Sequence, residues 1–150
     1  MKTFNRQQLE QYLQEGTSCI IAGPVGVGKT TLIRKPRMSS AHEIASEYQL
    51  NGIEAVKSII NNQIAYQDLT VIIDDIGLEQ DVKHFGNGLD PIAFIIQKIY
   101  DINQTAEKKI RLLLTTNLNK TELTEKYGER VISRLWEMCE PIVLQDTSFR

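Results

Sequence analysis

Apolar residues in this chain fall into two kinds of run. Four are short and nearly continuous: Ser18 to Ala22, Leu69 to Ile73, Leu112 to Leu114 continued by Thr115-Thr116, and Pro141 to Leu144. Runs of that length, rich in Ile, Leu and Val, suit strands buried on both faces of a parallel sheet. The others recur at helical spacing. Leu9, Tyr12 and Leu13 mark a helix over Asn5 to Glu15 that Gly16 ends. Ile44 and Tyr48, then Ile53, Val56, Ile59, Ile60 and Ile64, mark two more helices separated around Asn51-Gly52, both expected on one face of the sheet. Ile92, Ile95, Ile96 and Ile99 belong to a helix begun by Asp90-Pro91, and two helical turns are expected across Leu123 to Met138. This alternation predicts a three-layer α/β fold with a five-stranded, mainly parallel sheet. One domain is expected over residues 1–150, with an N-terminal helix in 1–16 and the core in 17–150.

Composition adds mostly exclusions. The chain has 150 residues, with 17 basic side chains against 19 acidic ones, so no global field selects a nucleic acid or a membrane. Two cysteines, Cys19 and Cys139, make no disulfide framework or metal cluster. The N-terminus lacks an apolar signal core and no apolar stretch approaches the ~18 residues of a membrane span, so a cytoplasmic protein without membrane contact is expected.

The chemistry begins just after the first apolar strand. Gly23-Pro24-Val25-Gly26-Val27-Gly28-Lys29-Thr30 satisfies G-x-x-x-x-G-K-T between a strand and the helix start Thr31-Leu32-Ile33-Arg34, which Pro36 stops. Such a loop curls backbone N–H groups around phosphate oxygens at a positive helix end. Lys29 then supplies a point charge to the terminal phosphates and Thr30 a hydroxyl to Mg²⁺. Asp74, closing the second apolar strand, is the expected second metal contact, and Asp75 beside it is placed to orient and deprotonate a water. Asn117 ends the Leu112 to Thr116 strand, where the carboxyl ends of parallel strands face a common crevice. Mg²⁺-dependent binding and hydrolysis of ATP is the reaction expected.

Two other readings compete. Asp74-Asp75-Ile76-Gly77 satisfies D-x-x-G and Asn119-Lys120-Thr121-Glu122 approaches N-K-x-D, but Glu122 is a methylene too long for the guanine edge, and the segment reads better as a helix start. A phosphoryl-transfer kinase fits less well, because the sequence shows no arginine-rich lid with an acceptor pocket. Arg130 and Arg134 stand four residues apart, on one helix face, where they either pair with Glu129 or Glu137 or reach the nucleotide of a neighbouring copy.

Taken together, the segments GPVGVGKT, VIIDDIGLE, LLLTTNL, ELTEKYGERVISRLWEMC and the terminal DTSFR resemble the DnaC/IstB family of AAA+ ATPases, the helicase loaders and transposition helpers. The likeness covers about Ser18 to Arg150. It implies an AAA+/ASCE-like core, here expected without a lid domain as a departure from the family, a phosphate loop from Gly23 to Thr31, metal and catalytic acids at Asp74 and Asp75, and a sensor at Asn117. It implies an arginine finger at Arg134 with Arg130 beside it, self-assembly through that face, and single-stranded DNA or a replication or transposition protein as partner. VKHFGNGLDPI resembles short variants carried by phages or mobile elements and brings His84 and Asn87 towards the site.

Overall fold

The computed structural model describes residues 1–23, 29, 33, 37–81 and 88–145. Six strands among these residues form one sheet: β1 Lys2–Phe4, β2 Cys19–Ala22, β3 Ser39–Ser40, β4 Thr70–Ile76, β5 Arg111–Thr116 and β6 Glu140–Leu144. Their spatial order is β1-β6-β2-β5-β4-β3, and every pair is parallel. Among the described residues the helices are α1 Arg6–Gln14, α2 Ala41–Asn51, α3 Ile53–Tyr66, α4 Pro91–Thr105, α5 Lys120–Tyr127 and α6 Glu129–Met138.

The central strands are buried on both faces, which is why they read as continuous apolar runs. Val71, Ile72 and Ile73 of β4 have no exposed surface, yet they serve opposite layers. Val71 and Ile73 pack with Ile44, Tyr48, Val56, Ile96, Ile132 and Leu135 under α2, α3, α4 and α6. Ile72 turns the other way, to Leu9 of α1 and to Ile21, Ile33 and Leu113. Together the two clusters make a three-layer α/β fold, helices covering both faces of the sheet.

Local signals placed the helix ends well. Asn5, Ser40 and Asn119 each form a capping box with the residue three positions on, and Asp90 accepts the N–H groups of Ile92 and Ala93 ahead of Pro91. Gly52, at φ +81°, separates α2 from α3 as expected.

Three features differ from the sequence expectation. Among the described residues the sheet has six strands rather than five, all of them parallel. The helix expected over Asn5 to Glu15 is α1, but within residues 1–16 a strand precedes it, Lys2–Phe4 pairing with Ile142, Val143 and Leu144 before Asn5 caps the helix. Such short edge strands carry little apolar signal, and β3, only Ser39-Ser40, carries none. Because β3 meets β4 only at Ile73 and Asp74, the buried Gln63 side chain completes that edge, accepting the Ile72 N–H at 2.7 Å and donating to the Ile72 carbonyl at 3.2 Å. Finally, β4 does not stop at the acids but runs through Asp74 and Asp75 to Ile76.

Candidate functional site at the carboxyl ends of three strands

Strand order sets the site. With β5 lying between β2 and β4, the register of Ala22 opposite Thr116 releases Gly23 and Asn117 from the sheet side by side. Lys29 comes back to them. Its side chain is buried, and Nζ donates to the Gly23 carbonyl and to Asn117 Oδ1, both at 2.7 Å. Burial pulls the Lys29 ammonium below its ordinary pKa, against the opposing fields of Asp75 and Asp74. Gly23 and Lys29 are thus placed; Pro24, Val25, Gly26, Val27, Gly28, Thr30 and Thr31 lie outside the described residues.

The acids depend on an irregularity in β4. Ile73 faces Leu114 and Ile76 faces Thr116, so Asp74 and Asp75 together oppose the single residue Thr115. This is a β-bulge. On a regular strand two successive side chains point to opposite faces; the bulge, with Asp75 at φ +56°, re-aims the second. Thr115 ties the turn together. Its hydroxyl donates to Asp74 Oδ1 and accepts the Asp75 N–H at 2.8 Å. Asp74 is buried, whereas Asp75 is half-buried. Burial, then the charge of Asp74, pushes the Asp75 carboxyl above its ordinary pKa, while Lys29 draws it back. One cation, two carboxylates and an amide therefore gather at one end of the sheet, linked by hydrogen bonds and by the coupling of Lys29 to both acids.

A family model described as Novel STAND NTPase 3 matches residues 1–135. The chain belongs to that family. The match supports the P-loop NTPase reading reached from the loop and the strand order, at a coarser level than the DnaC/IstB resemblance, which it does not support. A comparison with curated proteins found no match.

The donor chemistry of this STAND NTPase domain fits Mg²⁺. Among the described residues no three or more His, Cys, Asp or Glu gather into a metal cage. Mg²⁺ needs none: it takes one or two carboxylates and fills its remaining positions with phosphate oxygens and water. Asp74, with Asp75 next to it, is a hard-oxygen set of that kind, and the buried cation of Lys29 suits the phosphates.

Other sequence candidates fall elsewhere. Arg134 donates to Gln97 Oε1 and lies over the Tyr100 ring, 5.1 Å from its centroid, so its described contacts join α6 to α4 rather than to Glu129 or Glu137. Arg130 is exposed. Asn119 and Glu122 are engaged with each other's backbone N–H groups in the capping box of α5, which accounts for the near match to a guanine motif. Gly77, the glycine of D-x-x-G, has its own reason: at φ +96° an added Cβ would lie 2.4 Å from Leu118 Cδ1. His84 and Asn87 lie outside the described residues, as does Arg150. No described helix is long and apolar enough to cross a membrane.

Sequence reasoning passed over Thr115, although a threonine pair ending an apolar strand was the available signal. Thr116 serves beside it, donating to the Ile76 carbonyl at 2.8 Å and accepting the Leu118 N–H at 3.1 Å. It also passed over buried Glu79, whose carboxylate accepts the Gly77 N–H at 2.8 Å and the Tyr127 hydroxyl, fixing the turn that leaves the acids.

Proposed function

We propose that the chain binds ATP with Mg²⁺ and hydrolyses it. The observation that carries this reading is the buried Lys29 ammonium held between Gly23 and Asn117, within the electrostatic reach of the bulged Asp74-Asp75 pair. Lys29 and the backbone around it bind the terminal phosphates, Asp74 holds the metal side, and Asp75 accepts a proton from the attacking water. Bound Mg²⁺ supplies charge neutralisation across the phosphates. Asp75 suits its role because a carboxylate with a raised pKa is the stronger base. Asn117, already a hydrogen-bond acceptor for Lys29, aligns that lysine and presents its amide to the crevice.

Calorimetry and single-turnover hydrolysis test the roles separately. Lys29→Ala should abolish ATP binding, whereas Asp75→Asn should bind ATP almost as wild type and hydrolyse it at least about a hundredfold more slowly, the usual scale of a lost general base. Unchanged affinity in the first protein or unchanged turnover in the second would refute the assignment. A nucleotide-gated binding module uses the same site with negligible turnover, and wild-type single-turnover measurement distinguishes it. The DNA-linked role that the resemblance implies predicts faster hydrolysis with single-stranded DNA. An arginine finger from a second copy predicts specific activity that rises with protein concentration. Exposed Arg130 is the better placed for such a contact, since Arg134 is engaged with Gln97 and Tyr100.

A further inference from the structure

Two neighbouring helices of one layer leave a groove between them. It measures about 150 Å³ and runs between Val56, Ile60 and Ile64 of α3 and Ile95, Ile99 and Ile102 of α4. It shares no residue with the Lys29 cradle, so what it binds is independent of the phosphate site. We propose that this groove docks an acidic amphipathic helix of a partner protein.

Shape favours a helix. Val56, Ile60 and Ile64 recur every four residues and make one row over roughly 12 Å of α3, at 1.5 Å per residue, while Ile95, Ile99 and Ile102 make the facing row. A third helix lying between two such rows inserts side chains at i, i+4 and i+7. The floor is the core itself, but Ile64, Ile102 and Phe94 on the walls are only half-buried and leave apolar surface to cover. The volume takes a few side chains and falls below the roughly 300–1,000 Å³ of small-molecule sites.

Charge selects the partner. Among the described residues the lining holds two cations, Lys57 and Lys98, and no carboxylate, on a chain whose net charge is −2. Lys57 stands 5.9 Å from the Phe94 ring centroid, and exposed Lys98, one turn after Phe94, has no hydrogen bond or ion pair among the described residues. Glu54 reaches Lys57 at 3.2 Å from outside the groove, in a surface pair that a partner carboxylate exchanges at little cost. Asp101 of α4 accepts from Gln97 and does not line the groove. A second copy has no such helix to offer, because each described helix buries its apolar face in its own core, Leu9 of α1, Leu123 of α5 and Ile132 of α6 among them.

The probe is a labelled synthetic helix of about four turns, with leucines at i, i+4 and i+7 on one face and glutamates elsewhere, compared with a peptide carrying lysines in place of the glutamates. In fluorescence anisotropy the wild-type protein should bind the acidic peptide at least about tenfold more tightly than the basic one. The methyl NMR signals of Ile60, Ile64, Ile99 and Ile102 should shift, while those of Ile21 and Ile142, in the opposite layer, stay in place. Asn61→Phe, at an exposed position on the groove, should fill it and weaken the acidic peptide by about tenfold or more. Lys98→Glu should weaken it by about three- to tenfold and improve the basic peptide. Both positions are exposed, so the fold survives either change. No binding of the acidic peptide at millimolar concentration, equal binding of the two peptides, methyl shifts confined to residues outside the groove, or an Asn61→Phe protein that binds as wild type does would each overturn the proposal. Self-association of the wild-type protein that Asn61→Phe abolishes would overturn it too, giving the groove to a second copy, as would sedimentation with anionic phospholipid vesicles that Lys98→Glu abolishes, giving it to a lipid surface.

Discussion

Replacing Thr115 by Val should unfasten the acid pair while leaving the sheet nearly the same shape. Thr115 has no exposed surface, and its hydroxyl makes two bonds at once: it donates to the Asp74 carboxylate and accepts the Asp75 N–H. A hydrogen bond to a charged group contributes about 1.5–3 kcal/mol and a neutral one about 0.5–1.5 kcal/mol. Losing both should cost about 2–4 kcal/mol, discounted slightly by the better strand propensity of Val. For a chain of this size that is a fall of roughly 5–15 °C in Tm. Scanning calorimetry reads the loss. Hydrolysis should fall further than ATP affinity, because the hydroxyl positions the acids and touches neither Lys29 nor Gly23. Thr115→Ser retains the oxygen and should recover most of both losses. Two results would refute the reasoning: Thr115→Val within about 0.5 kcal/mol of wild type, or Thr115→Ser falling as far as Thr115→Val.

The remaining predictions concern the turn that follows the acids. Gly77→Ala should destabilise the fold by at least about 1 kcal/mol in urea unfolding, because φ is +96° and the new Cβ would meet Leu118 at 2.4 Å. Glu79 gives a pH dependence. Burial raises its carboxyl pKa, against the lowering hydrogen bonds from Tyr127 and Gly77 and the Lys126 charge, so the folded chain holds this proton more tightly than the unfolded one. Its contribution to stability therefore declines as pH rises from the unfolded value of about 4.3 through the folded pKa, and is flat above it. In urea titrations across that window, Glu79→Gln should remove this part of the slope; an identical slope in both proteins would contradict the assignment.

Much of this was legible because the informative residues lie where local rules are strong. The four apolar runs became the four main strands because both of their faces are covered, and Asn51-Gly52 and Asp90-Pro91 marked helix ends by backbone geometry alone. The glycine loop pointed to Lys29, and the ends of the apolar runs pointed to Asp74 and Asn117, although β4 itself continues through Asp74 to Ile76. What escaped depends on partners distant in sequence. β1 exists because β6 offers it an edge, and β3 because β4 does. The bulge is invisible for the same reason: at φ +56° the N–H of Asp75 is received by Thr115, forty positions away. Arg134 was open to two readings on spacing, and the contacts found, Gln97 and Tyr100, lie on a helix that four-residue spacing cannot see.

The bulge also shows why fold and chemistry meet at this point of the sheet. Two adjacent carboxylates on a regular strand would be divided between its faces, leaving one to the crevice and burying the other under a helix layer. Opposing both to Thr115 keeps them on the crevice, at the cost of a left-handed residue, a conformation of order 1–3 kcal/mol above the ordinary ones for most side chains and cheapest for Asn and Asp after glycine. An aspartate at position 75 thus suits the backbone, and under the proposed function it suits the chemistry as a base. Asn shares the backbone tolerance but not the basicity, so Asp75→Asn isolates the chemistry, whereas Asp75→Ala would mix it with strain. Thr115 carries the corresponding burden on β5, and Asn117 two residues on holds Lys29. β5 and the residue after it therefore connect the acid side of the site to its cationic side within three residues, Thr115 fastening the acids and Asn117 accepting from Lys29.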